Sequence, residues 1–105
     1  MDNASKIYDV KITDIAKEQL TEHSRLLAEV SVKAANQLVD DFLESADNLS
    51  QMPERCSWLT HEDIPFQKYR RILFGKYHMA LFQICGDVVY VTSVIDCRQD
   101  YSWLL

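Results

Sequence analysis

The sequence is poor in the residues and tracts that interrupt regular structure. Its 105 residues include only two glycines and two prolines, and they contain no low-complexity tract and no repeat of fixed period. Disordered linkers and solenoid proteins depend on such tracts or periods. The chain is therefore expected to be ordered nearly throughout. With 48% hydrophobic residues it can build a core as one domain spanning 1–105.

Long apolar runs and paired cysteines are also missing. No stretch approaches the ~20 apolar residues that a membrane-spanning helix needs, and the first residues lack the pattern of a signal peptide. The cysteines, at 56, 85 and 97, are odd in number and lack CxxC spacing, which argues against a disulfide framework or a zinc site. We therefore expect a cytoplasmic protein with no membrane partner, no metal and no cofactor.

Charge is unevenly distributed along this acidic chain of net charge −5. Residues 1–50 hold ten acids and five bases, whereas the second half is balanced and contains a basic group without acids at Lys68, Arg70, Arg71 and Lys76. Such a local basic face suits a specific anionic contact better than general coating of nucleic acid. Pairing of these bases with the acidic helices is an equally open interpretation.

The first half of the sequence predicts one strand and two helices. Residues 7–12 alternate in polarity, as expected of a half-buried strand. Thr13 is a candidate N-cap for a first helix near 13–29, and Ser31 can cap a second helix that runs until Pro53. Because almost nothing separates the two apolar stripes, the helices are expected to form an antiparallel hairpin.

The second half predicts a sheet. A loop over 52–68 is followed by three segments rich in β-branched and aromatic residues, at 69–74, 76–85 and 88–95. Gly75 marks the first turn, and the Gly86-Asp87 pair fits a tight hairpin. The sequence thus predicts an α+β fold: an N-terminal strand, an antiparallel helix hairpin and a three-stranded antiparallel meander. The last ten residues would add a short helix or an extension over the sheet edge.

This order of elements resembles the RelE/ParE superfamily of bacterial type II toxins. The resemblance covers nearly the whole chain and is carried by Tyr-Arg-Arg at 69–71, Gly75 with Tyr77, the Gly86-Asp87 turn, and Arg-Gln-Asp-Tyr at 98–101. It implies a cognate antitoxin as partner. It also implies one of two targets, since one branch of the superfamily cleaves messenger RNA on the ribosome and the other inhibits DNA gyrase.

Cleavage of RNA requires a base near the 2′-hydroxyl, cations for the transition state and a proton donor for the leaving group. The residues that could supply these roles by resemblance are Arg71, His78, Arg98 and Tyr101. Alternation along a strand places Arg70 and Arg71 on opposite faces, so at most one of them can be catalytic. Asp96 stands where many relatives have a histidine, and a carboxylate facing a phosphate is repulsive unless it is the base.

Several of these side chains also have an ordinary structural explanation. His78 shares its strand face with apolar residues and is predicted to be half-buried against the helices, while His23 lies at the edge of the core. The neighbouring Asp96 should raise the pKa of Cys97, which disfavours a nucleophilic role for this thiol. Tyr101 and Trp103 are more typical of edge packing than of base stacking.

The missing nuclease constellation favours the gyrase-inhibiting branch, which acts by binding. The resemblance then assigns the contact with the target to a basic and aromatic set: Arg70, Arg71, Lys76, Tyr77 and Arg98. A ribosome-dependent mRNA endonuclease is the enzymatic alternative. A degenerate homologue that only binds antitoxin is the third hypothesis.

Overall fold

The computed structural model describes residues 6–98, and its elements follow the predicted order. They are β1 (Asp9–Ile12), α1 (Asp14–Ala28), α2 (Val32–Asn48), a short 3₁₀ turn (Pro53–Arg55), β2 (Arg70–Phe74), β3 (His78–Cys85) and β4 (Val88–Asp96). The predicted α+β fold, with its helix hairpin and antiparallel meander, is confirmed. The expectations for the last residues, including Tyr101 and Trp103, lie outside the described range.

The four strands form one mixed sheet in the order β1-β4-β3-β2. The β2–β3 and β3–β4 pairs are antiparallel, as expected of a meander, whereas β1 pairs with β4 in parallel. Gly75 and Gly86 both have φ of +60°, which is the left-handed conformation that their turns require and that glycine adopts without a steric penalty. The two longest strands, β3 and β4, therefore lie at the centre of the sheet.

Hydroxyl caps set the start of each helix. The side chain of Thr13 accepts a hydrogen bond from the amide of Ala16, and that of Ser31 accepts one from the amide of Ala34. Both caps were predicted, since serine and threonine satisfy amides that have no partner in the first turn.

The predicted end of the second helix at Pro53 is wrong, because α2 stops at Asn48. Just beyond the helix, the carbonyl of Ser50 accepts a hydrogen bond from the amide of Tyr8. Met52, directly before the proline, has φ of 50°. A proline disfavours the helical conformation of the residue that precedes it. The chain therefore leaves the helix early, and its N-terminal segment pairs with the exit turn.

The main core lies between the helix hairpin and one face of the sheet. Phe42 of α2 packs there with Phe82 of β3 and Val91 of β4, all of them almost completely buried. A second cluster covers the other face, where Leu59 and Ile64 of the long loop contact a group from the central strands: Met79, Leu81 and Ile95. Both faces of β3 and β4 are thus shielded from water.

A β-bulge in β4 ties α1 to the sheet. The register between β3 and β4 shifts at Leu81 and Phe82, which leaves Thr92 without a directly opposed partner. The side-chain oxygen of Gln19 accepts a hydrogen bond of 2.7 Å from the amide of Val94. The backbone amide of Thr13 donates a hydrogen bond to the carbonyl of Val91. Polar contacts from α1 therefore satisfy groups on β4 near the irregularity.

Replacing Gln19 with alanine is expected to lower the free energy of unfolding by about 1–3 kcal/mol, because the buried amide of Val94 would lose its acceptor. Chemical denaturation of the variant and the parent chain measures this difference. The matched control is Glu18→Ala, an exposed neighbour on the same helix, whose change should stay within about 0.5 kcal/mol. Equal stabilities of the two variants would contradict the role assigned to Gln19.

Candidate functional site

A groove runs between α2 and the turn that joins β2 to β3. It encloses about 660 Å³, and we call it the hairpin groove. Its apolar lining comes from both layers: Leu27, Ala34, Leu38, Phe74 and Tyr77. Its polar lining comprises Gln37, Asp41, Glu44, Ser45, Lys76, His78 and Arg98, with Gly75 between the strands. An apolar concave surface with a few polar groups at its rim is typical of a binding site.

Arg98 is held at the mouth of the hairpin groove by two contacts. Its Nε and Nη2 atoms donate to the two carboxylate oxygens of Asp96 at 3.1 and 2.8 Å, and its backbone amide donates to the same carboxylate at 2.9 Å. The guanidinium also lies over the ring of Tyr77, with its carbon 4.2 Å from the ring centre. Such a fork with a stacked ring fixes the direction of the remaining N–H groups.

The ion pair with Arg98 changes the acidity of Asp96. Hydrogen bonds from the Arg98 side chain are the main cause that lowers the pKa of this carboxyl to about 2, against an opposing effect of burial. Asp96 is buried, whereas the side chain of Arg98 keeps 60% of its surface exposed. The carboxylate therefore serves to position the arginine and is too weak a base for proton abstraction near neutral pH.

The hairpin groove has cations on one rim and acids on the other. Lys76 and Arg98 belong to the sheet side, while Asp41 and Glu44 belong to α2. The side chain of Gln37 donates to Asp41 at 2.9 Å, which orients that carboxylate. Asp40 and Asp47, the other two acids of α2, do not line the groove and are exposed to water. A ligand with both charge signs around an apolar stripe would match this rim.

His78 is half-buried among rings, as predicted. Its ring centre lies 5.3 Å from that of His23 on α1 and 5.5 Å from that of Phe74. Burial is the main cause that lowers the pKa of His78, and the charge of Asp96 opposes it only in part. Burial therefore favours the neutral form of His78, which packs between the helices and the sheet.

Arg70 lies in the same face of β2 as Phe74 but at the other end of the strand, roughly 13 Å away at the usual rise per residue. Its Nη1 atom donates to the carbonyls of Glu54 and Cys56 at 3.0 and 2.8 Å, and its guanidinium stacks on Trp58 at 3.9 Å. These contacts hold the start of the long loop against the sheet edge. The structure thus separates Arg70 from the other residues of the predicted contact set.

Arg71 lies on the opposite face of the sheet from His78. It is paired with Leu81, whose side chain packs under the long loop, and His78 is three residues from Leu81 along β3. An odd number of residues along a strand places two side chains on opposite faces. Arg71 is on the side of Cys97, where its charge partly opposes the burial that mainly raises the pKa of that thiol. Asp96 adds to that rise, as the sequence predicted.

The structure therefore brings together only part of each predicted set. Lys76, Tyr77, His78 and Arg98 line the hairpin groove, while Arg70 and Arg71 do not. Tyr101 lies outside the described residues. The role of Asp96 in holding Arg98 was not predicted, although the Asp-x-Arg spacing at a strand end was a signal for it. Of the apolar lining, Tyr77 alone was part of the predicted contact set.

Two features are absent from residues 6–98. These residues contain no group of three or more histidine, cysteine, aspartate or glutamate side chains that could hold a metal ion. None of the helices in this range is long and apolar enough to cross a membrane.

Comparisons with known proteins agree with this fold. The family described as the ParE toxin of the type II toxin-antitoxin system, parDE, matches residues 10–101. A structure described as the chromosomal ParDE toxin-antitoxin system from P. aeruginosa is similar, with a TM-score of 0.70 and 18% identity over 88% of this chain and 98% of the other. The toxin-antitoxin complex RelBE2 from Mycobacterium tuberculosis is similar at a TM-score of 0.58 and 22% identity, over 90% and 97% of the chains. No curated protein matches the sequence.

A small α+β domain with a helix hairpin on a mixed sheet defines the RelE/ParE toxin fold. Because the family match spans most of its length, this chain belongs to the ParE toxin family of type II toxin-antitoxin systems.

Replacing Asp96 with asparagine should lower the stability of the parent chain at neutral pH by about 1–2 kcal/mol. A shift from 3.8 to about 2 corresponds to roughly 2 kcal/mol, and solvent around the exposed Arg98 reduces it. Because the folded pKa is depressed, this stability is present above pH 3.8 and is lost as the pH falls toward 2. The difference between parent and variant in chemical denaturation should shrink over that window.

The matched control for this measurement is Asp47→Asn, which alters a solvent-facing carboxylate of α2 and should change stability by less than about 0.5 kcal/mol. A parent-to-variant difference for Asp96→Asn that stays constant from pH 6 to pH 2 would refute the assigned ion pair.

Replacing Arg70 with alanine is expected to destabilise the chain by about 1–3 kcal/mol, because two carbonyls lose a charged donor and Trp58 loses its stacking partner. Limited proteolysis should cleave residues 56–68 faster in this variant. Arg71→Ala is the matched control on an exposed neighbour and should leave both stability and cleavage rate nearly unchanged. Identical proteolysis of the two variants would show that Arg70 does not anchor the loop.

Proposed function

We propose that this chain is a toxin that inhibits DNA gyrase by binding it, and that a cognate antitoxin neutralises it. The arrangement of Lys76, Tyr77 and Arg98 at one groove is the observation that carries the proposal. Lys76 and Arg98 are two cations beside the ring of Tyr77, and together they form a contact surface for a partner. Arginine and tyrosine are favoured anchors at protein interfaces. Such a surface acts in the cytoplasm, where gyrase works.

The geometry gives less support to RNA cleavage. Of the candidate catalytic residues in the described range, Arg71 and His78 project from opposite faces of the sheet. His78 is half-buried and packed against two tilted rings, so its approach to a phosphodiester is restricted. The nearest carboxylate, Asp96, is engaged by Arg98. Among residues 6–98, a base, a proton donor and cations are therefore not assembled around one point, as general acid–base cleavage requires.

The hairpin groove also suits the antitoxin. Both solved relatives are described as toxin-antitoxin systems or complexes, which supports an antitoxin as the partner of this chain too. An amphipathic segment would place its apolar side on Leu38 and Phe74 and its charges on the two rims. The antitoxin would then cover Lys76 and Arg98, so that toxin bound to antitoxin could not present these residues to gyrase.

Within the predicted contact set, we assign direct contact to the groove residues Lys76, Tyr77 and Arg98. Arg70 already contacts two backbone carbonyls and the ring of Trp58, and its loss should therefore act through stability. Arg71 is exposed on the other face of the sheet and provides a control that removes a positive charge away from the groove.

The purified chain should inhibit ATP-dependent supercoiling by DNA gyrase. Combining Lys76→Ala with Arg98→Ala should raise the concentration for half-inhibition at least tenfold, because a charged contact contributes about 1.5–3 kcal/mol and ~1.4 kcal/mol is a factor of ten. The matched control, Arg71→Ala, removes one exposed arginine and should leave inhibition unchanged. Circular dichroism of each variant verifies that it is folded.

Two results would overturn the proposal. Cleavage of messenger RNA on purified ribosomes, abolished by His78→Gln, would establish the endonuclease alternative. Binding of an antitoxin with no effect on gyrase, ribosomes or growth would establish the degenerate homologue.

A further inference from the structure

Three rings from three different elements meet beside the hairpin groove. His23 comes from α1, His78 from the start of β3 and Phe74 from the end of β2. The two imidazoles are tilted by 53° with their centres 5.3 Å apart. The Nδ1 atom of His23 is buried and has no hydrogen-bond partner among the residues that the structure describes. The contact between α1 and β3 at this point therefore depends on ring packing.

We propose that the contact between His23 and His78 is an acid-sensitive latch, which holds the last turns of α1 on the sheet while His78 is neutral and releases them when His78 gains a proton. The two rings pack against each other as half-apolar groups. A charge on His78 would lie in this partly desolvated contact, where it costs more than in water. Separation of α1 from β3 would hydrate His78.

The charged groups around the latch have opposing effects on the pKa of His78. Asp96 on β4 favours a proton on His78, but this carboxylate is already paired with Arg98, and both Arg98 and His23 disfavour the proton. On α1, Glu22 precedes His23 and is paired with Arg25 at 2.7 Å. The remaining charged groups that share the hairpin groove with His78 are Asp41, Glu44 and Lys76. Asp96 and Glu22 are thus each paired with an arginine. Burial remains the largest effect on the pKa of His78.

The direction of the pH effect follows from the folded and unfolded states. Burial lowers the pKa of His78 in the folded chain, so the unfolded or opened chain binds a proton first as the pH falls. The closed latch therefore contributes its full stability above pH ~6.5, the ordinary histidine value, and this contribution is lost as the pH falls below it.

Opening would change the binding surface. His78 lines both the hairpin groove and a smaller pocket of about 260 Å³. The second pocket is formed by the second half of α1 and the residues after it, the start of β3, and the end of β4 with the residues after it: His23, Leu26, Leu27, Val30, His78, Asp96 and Arg98. Displacement of α1 would open this pocket and remove Leu27 from the groove wall. This proposal does not depend on gyrase being the target.

Amide hydrogen exchange of the free chain tests the latch. Protection factors, corrected for intrinsic exchange, should fall between pH 7.5 and pH 5.5 more for residues 24–28 than for residues 89–91 of the core strand. The difference due to His78 can reach about tenfold, since pH 5.5 lies one unit below the ordinary histidine value. Substituting both histidines with phenylalanine, as His23→Phe with His78→Phe, keeps the ring packing and should remove this difference. The control His61→Gln, in the long loop, should retain it.

An equal fall in protection at both segments, or a pH effect that persists in the phenylalanine variant, would overturn the latch. If that variant does not fold, the imidazole resonances of the unmodified chain decide the question. A titration midpoint of His78 below 6.5, with coincident loss of the α1 to β3 cross-peaks, supports the latch, whereas a midpoint at or above that value refutes it.

Discussion

Burial of the central strands on both faces is the constraint on which the rest of the structure depends. Phe82 and Val91 are completely buried under the helix hairpin, and Leu81 is completely buried under the long loop. Strands that are apolar on both sides must be covered twice, or they expose surface that drives association. The chain therefore uses α1 and α2 for one face and the loop for the other, which accounts for its order of elements.

The candidate site lies where this double cover ends. At the turn between β2 and β3 the helix hairpin no longer fills the space over the sheet, and Phe74, Tyr77 and His78 form the wall of the groove. The long loop that covers one face of the sheet also accounts for the different positions of the two arginines of β2. Arg70 is used to attach the loop, while Arg71 projects on the loop side, so the cations at the groove come from the turn and from the end of β4. Lys76 is therefore the only member of the predicted basic face that lines the groove.

Local patterns predicted the fold well, because each depends on near neighbours. Thr13 and Ser31 cap helices by contacts three residues away, and Gly75 and Gly86 supply turns that need positive φ. The candidate site was predicted less completely, because its contacts join distant elements. The pairing of β1 with β4 and the contact of the His23 ring with the His78 ring depend on packing that no local pattern encodes. Alternation alone did place Arg70 and Arg71 on opposite faces.

Whether the chain acts by binding gyrase or by cutting RNA is decided most directly by a pulse of its expression, without antitoxin, in bacteria that carry a DNA-damage reporter. Transcript ends are mapped in the same cells. A gyrase inhibitor that leaves broken DNA is expected to arrest growth and induce the reporter, with no new transcript ends at early times. Growth arrest with a silent reporter and newly cut messenger RNA on ribosomes would contradict the proposed function.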